Sequence, residues 1–133
     1  MTKPTVAVKL FASSGDSGTN SAQGPKVVNC YTPDTYKDVN AVAAGSIVTV
    51  WTPASGKTVR LMGLTISVSA ACSVLFEDNA GGTTVFRTPK LLADTPYTFD
   101  LGNGKQLAAA GNVLKMTSSA AANITGTLYG VEI

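Results

Sequence analysis

Through the C-terminal two thirds of the chain, large apolar residues recur at every second position over short runs, a period that lets a strand bury one face. The clearest run is Thr58 to Ser69, where Met62, Leu64, Ile66 and Val68 share one face and Gly63, Thr65 and Ser67 the other. Ser46 to Thr52 forms an earlier run, ended by Pro53-Ala54-Ser55-Gly56. After a turn at Ser69 to Ala71, Cys72, Val74 and Phe76 share a face, and the two strands on either side of that turn read as a hairpin. Asp78-Asn79-Ala80-Gly81-Gly82 then closes the second of them with residues that tolerate turns. Thr83 to Thr88, Tyr97 to Leu101, Val113 to Ser118 and Asn123 to Ile133 supply four more strands, with Gly102-Asn103-Gly104 and Ala109 to Asn112 as breaks.

The first 45 residues lack this regularity. Val6, Val8 and Leu10 alternate with Ala7, Lys9 and Phe11, the pattern of an extended arm able to add to a sheet edge. Residues 13 to 25, SSGDSGTNSAQGP, carry no large apolar side chain and read as a Gly/Ser-rich hinge. Only one short helix is signalled, from Asp38 to Ala44, an Asp-capped run ended by Gly45. The expected organisation is thus an extended arm over 1–45 and a β-domain over 46–133. Seven or eight strands with no crossover helices predict an all-β fold, an antiparallel β-sandwich or jelly roll. Some strands carry apolar residues on both faces, as where Tyr129, Val131 and Ile133 oppose Leu128. The second face is therefore expected to be covered by the arm or by another subunit.

Composition narrows the chemistry. The 133 residues carry 10 basic and 8 acidic side chains, a net charge of +2 that gives no basic groove for a nucleic-acid backbone. No apolar run approaches a membrane span and no signal peptide is expected. Histidine is absent, so Ser-His-Asp and Cys-His catalysis cannot be assembled from these residues. The two cysteines, Cys30 and Cys72, suit two small buried hydrophobes better than a disulfide framework, and no cofactor or metal set is signalled. Gly56-Lys57-Thr58 imitates the end of a phosphate-binding loop, but Trp51 stands where its first glycine is needed, so a hairpin turn from Pro53 to Lys57 is expected. Glu77-Asp78 alternates faces in a strand, which disfavours a glycosidase pair, and Asp78-Asn79 reads as an Asx turn rather than a Ca²⁺ ligand. Asn123-Ile124-Thr125 matches a glycosylation sequon but is read as strand. Trp51, Tyr97, Phe99 and Tyr129 would make a sugar-stacking platform if exposed, although alternate aromatics in a strand more often belong to the core.

About 85 residues, from Val48 to Ile133, resemble the small β-sandwich proteins of tailed-bacteriophage virions. The resemblance is carried by a strand ending in Thr52-Pro53-Ala54, by Gly56-Lys57, and by a long strand with Arg60 and Gly63. It continues through Phe99-Asp100-Leu101, the Ala110-Gly111-Asn112 turn and a closing Gly-Thr-Leu-Tyr-Gly strand from Gly126. It implies a non-enzymatic protein that decorates and cements a capsid as a homotrimer on the outer surface of the virion. The partners implied are the major capsid protein and further copies of this chain, with no nucleic acid, membrane or cofactor. Val6, Val8, Leu10, Phe11, Tyr31, Tyr36, Trp51 and Tyr129 are the candidate interface residues. The alternatives are a tail or fibre component that binds a host glycan through exposed aromatics, and a small carboxylate-dependent hydrolase.

Overall fold

Alternating burial along each run places one face of every strand against a common core, and two sheets result. The computed structural model describes residues 30–42, 46–79 and 82–133. They form eight strands: β1 (Thr35–Val42), β2 (Val48–Trp51), β3 (Val59–Val68), β4 (Val74–Asp78), β5 (Thr84–Arg87), β6 (Tyr97–Gln106), β7 (Leu114–Ser118) and β8 (Asn123–Glu132). One sheet has the order β1-β8-β3-β6 and the other β2-β7-β4-β5, and every pairing of strands is antiparallel. The described residues contain no helix. The all-β antiparallel sandwich read from the sequence is therefore the observed fold.

The strand orders reveal how the chain reaches it. β1 pairs with β8, β2 with β7, β3 with β6 and β4 with β5, a nested set equivalent to one long hairpin rolled up on itself. Rolling joins β3 to β8 in one sheet and β4 to β7 in the other. This is the strand order of a jelly roll.

Trp51, Leu61, Leu64, Ile66, Val74, Phe76, Leu114, Met116, Ile124 and Leu128 fill the space between the sheets. Burying a side chain of this size stabilises the fold by roughly 1.5–3 kcal/mol each, before the entropy of ordering it is counted.

Several expectations change. β3 and β4 are not a hairpin, because they lie in opposite sheets. The chain arches from one to the other, and Val68, Cys72 and Val74 all face the core on the way. The arch is pinned where Ser69 N–H donates to Asn123 O, at 2.9 Å, and where Ser73 N–H donates to Ser119 Oγ, at 2.9 Å. The true hairpin is β4–β5, closed by the bond from Asp78 N–H to Thr83 O. Pro53–Lys57 is a turn, with Lys57 N–H bonded to Ala54 O, but it too passes between sheets.

The helix expected over Asp38–Ala44 is a strand as far as Val42, and residues 43–45 lie outside the described residues. Pairing of β1 along the whole of β8 supplies backbone hydrogen bonds and buries Val39, which outweighs the weak helical preference of an Ala/Val run. The sandwich therefore begins before residue 35, and Tyr31–Val42, expected in the arm, belong to its compact unit. Residues 1–29, including the strand expected at Val6 to Phe11 and the hinge over 13–25, lie outside the described residues.

Finally, the perfect alternation of β3 hides a bulge. Between Leu61 and Gly63 the register shifts against both neighbours, so Leu61 rather than Met62 joins Leu64, Ile66 and Val68 in the core. Across the bulge, β6 continues through Gly102-Asn103-Gly104, which had been expected to end it.

Candidate functional site

Alternation that sends Leu64 and Leu128 inward sends Tyr129 outward, and the register stacks its neighbours into rows across the sheet. Tyr36 of β1, Tyr129 of β8, Gly63 of β3 and Asp100 of β6 form one row on the outer face. Asp38, Thr127, Thr65 and Thr98 form the next, and Asn40, Thr125 and Ser67 the one beyond. The Thr65 and Thr98 hydroxyls share a hydrogen bond of 3.1 Å.

Gly63 shapes this face. A Cβ at that position would stand inside the distal half of the Tyr129 ring, so the ring lies across β3 where a side chain would otherwise project. Tyr36, 64% exposed, lies beside it with ring centroids 6.2 Å apart and planes tilted by 35°. Burial raises the pKa of the Tyr129 hydroxyl, and the nearby Asp100 charge and Tyr36 push it the same way. The Tyr129 hydroxyl therefore stays a neutral hydrogen-bonding group at physiological pH.

On the other side of the tyrosine row stands Arg60. Tyr31 stacks on its guanidinium at 4.7 Å from the ring centroid, a cation–π contact. Tyr31 N–H donates to Asn103 Oδ1, at 3.0 Å, while Arg60 Nε donates to the Asn103 carbonyl and Nη1 to Gln106 Oε1. This clamp fixes the point at which the chain joins the sheet.

The remaining aromatics serve the interior. Trp51 is 1% exposed, so it offers no surface and leaves the set of interface candidates. Its Nε1–H donates to Glu132 Oε2, at 2.8 Å, and Ala54 N–H donates to Glu132 Oε1, at 2.9 Å. These two bonds, the backbone one foremost, hold the Glu132 carboxyl below its ordinary pKa, with Lys37 and Lys57 adding to the effect against a smaller cost of burial. Tyr97 and Phe99 share the inner parity of β6, where Tyr97 packs against the core and Phe99, still 39% exposed at the edge, stacks on Phe86 of β5 at 4.8 Å. The expected aromatic platform is thus divided: Trp51, Tyr97 and Phe99 face inward, and Tyr129 faces out.

Asp78, 7% exposed, accepts from Ala108 N–H at 2.6 Å on one oxygen and from Asn112 Nδ2 at 2.8 Å on the other. Beside it Asn79, at φ 58°, accepts from Val113 N–H. Both residues fasten the β6–β7 connection to the β4–β5 turn, so these side chains make long-range bonds to residues 108–113 where a local Asx turn was expected. Glu77 lies on the opposite side of the strand, so the two neighbouring carboxyl groups do not converge. No group of three or more His, Cys, Asp or Glu gathers among the described residues. Cys72 is a buried thiol whose pKa burial raises, whereas Cys30 is exposed, contrary to the expectation of two buried cysteines.

Of the eight interface candidates, Tyr36 and Tyr129 come together, Tyr31 stands two rungs away on Arg60, Trp51 is buried, and Val6, Val8, Leu10 and Phe11 lie outside the described residues. Sequence reasoning missed Arg60, Asn103 and Asp100 as their neighbours. Gly63, a lone glycine in a strand of large residues, is the signal that marks the place where a ring from the next strand settles. Comparison with known proteins finds no matching family model, no similar curated protein and no similar solved structure.

Proposed function

We propose that this chain is a non-enzymatic structural protein of a tailed-bacteriophage virion, which decorates and cements the capsid as a homotrimer. The observation that carries the reading is the use made of the polar side chains best suited to chemistry. Asp78 and Glu132 each have both carboxylate oxygens taken by N–H donors of distant segments, and the Trp51 indole is bonded to the second of them. These groups hold the scaffold together and leave none of their oxygens to attack or protonate a substrate. A rigid, charge-poor jelly roll with broad sheet faces suits a protein whose task is to lie against a repeating surface.

In this reading residues 1–30 anchor the sandwich to the major capsid protein, and Tyr31 on Arg60 holds the base of that anchor. The partners are the capsid shell and two further copies of the chain, with the sandwich on the outer surface of the particle. A protein of this kind binds by area, and a stable contact needs on the order of 1,200 Å² or more in total.

The test is association with particles. The full chain should co-sediment with shells at a fixed integer ratio to the shell protein, and a chain lacking residues 1–25 should fold yet remain in the supernatant. A folded full-length chain that never sediments with shells, or a truncated one that still saturates them, would refute the proposal.

A further inference from the structure

We propose that the row formed by Tyr36 and Tyr129 on the outer face of the β1-β8-β3-β6 sheet is a binding platform for a neutral oligosaccharide. The argument starts from the two rings. Tyr129 settles over Gly63, with the distal atoms of its ring where a side chain on Gly63 would stand. Tyr36 extends the surface at 6.2 Å, close to the repeat of successive pyranose rings in an extended glycan. The 35° tilt between the rings gives the platform a twist, as successive sugars in such a chain are twisted.

A sugar ring offers C–H groups on its faces and hydroxyls around its rim, so it needs an aromatic surface bordered by short polar side chains. Both are present. The row containing Asp38, Thr127, Thr65 and Thr98 runs beside the tyrosines at a spacing of two residues, roughly 7 Å along the strands. Asp100 closes the tyrosine row at its β6 end, and Asn40, Thr125 and Ser67 continue the polar border. The Asp38 carboxylate accepts from sugar hydroxyls, Asp100 does so with the oxygen not bonded to Gly102 N–H, and the threonine hydroxyls both donate and accept.

Charge selects among ligands. Asp38 and Asp100 flank the rings and repel phosphates and acidic sugars while leaving a neutral glycan unaffected, and Arg60, two rungs along, is engaged with Tyr31, Asn103 and Gln106. A second protein copy would want an apolar centre depleted of charge, whereas the rings here are bordered by hydroxyls and carboxylates. Two rings 6.2 Å apart suit an extended chain of sugars more than a single monosaccharide. This proposal does not rest on association with a capsid, and either can fail without the other.

The experiment uses the full chain. It is screened on an array of neutral and sialylated glycans and titrated by calorimetry with cellohexaose, chitohexaose and mannohexaose. We expect at least one neutral oligosaccharide to bind, its sialylated counterparts to bind no better than background, and Tyr36→Ala to weaken binding roughly tenfold. Tyr36→Phe should keep the affinity within roughly threefold, because the ring face is retained. Absence of any neutral ligand, or binding unchanged by Tyr36→Ala, would overturn the proposal. So would a Tyr36→Ala variant that alters the sedimentation of the chain and not its sugar binding, which would make the platform a contact between copies.

Discussion

On the inner face of the β1-β8-β3-β6 sheet, Leu61, Leu64, Ile66, Ile124 and Leu128 pack against the opposite sheet, while the outer face of the same strands carries Tyr129, Thr127, Thr125, Thr65 and Ser67. The two faces share backbone, register and twist, and they differ only in which parity of residue each displays. The inner face has no freedom of chemistry, since an unfilled volume there costs stability at once. The outer face is permissive, and where it nevertheless holds a specific arrangement, as at Gly63 beneath Tyr129, the arrangement reflects something other than core packing.

Substitutions on the two faces should separate accordingly. Leu64→Ala, which empties a fully buried site, should destabilise the protein by about 3–4 kcal/mol in urea or thermal unfolding. A loss under about 1 kcal/mol would mean that the inner face is far looser than its burial indicates.

A smaller effect is expected where the faces meet the backbone. Gly63→Ala should cost about 1–2 kcal/mol, because the Tyr129 ring must leave its seat. Combined with Tyr129→Ala, the two costs should fall short of their sum by about 1 kcal/mol, as the new methyl group occupies space the ring has vacated. Strict additivity would show that the ring does not rest on Gly63.

The third prediction concerns pH. The pKa of Glu132 is lowered in the folded state, so its contribution is complete above its ordinary value of 4.5 and disappears as pH falls through the lower folded value. Thermal stability should therefore decline on acidification below about pH 5, and Glu132→Gln should flatten that decline while costing about 1 kcal/mol at neutral pH. An unchanged slope in the variant would assign the acid sensitivity elsewhere.

The smallest effect belongs to the outer face proper. Tyr36→Ala should change stability by no more than about 0.5 kcal/mol, which a matched pair of denaturation curves would verify.

The sequence made one face of this sheet legible and left much of the other hidden. Leu64, Ile66 and Val68 announce their burial by period alone. Met62 fits the same period and is buried, yet stays out of the cluster between the sheets, because a bulge changes parity without leaving a mark in the hydrophobic pattern. β1 escaped notice because its Ala/Val composition suits helix and strand alike, and only its partner, some ninety residues away, decides between them. The arch after Val68 looked like a hairpin turn, since small polar residues serve both connections and the choice of sheet is made by distant strands.

Of the candidate site, the tyrosines were visible as residues, but their convergence depends on pairing between β1 and β8. The bond from Trp51 to Glu132 joins positions 81 apart and had no local signature. The alternation of Glu77 and Asp78, by contrast, is a property of any strand and was legible at once.

The nested pairing also dictates when this protein is able to exist. β8, the strand synthesised last, occupies the middle of its sheet, between β1 and β3. On a ribosome, which adds roughly 5–20 residues each second, β1 and β3 must wait for their shared neighbour to emerge. The nascent chain therefore remains without that complete sheet until β8 has emerged, and a product terminated before Asn123 lacks the strand that joins β1 to β3. Folding that depends on contacts between segments far apart in the sequence is intrinsically slow. For this sheet, the emergence of β8 and the acquisition of structure are close to being a single event.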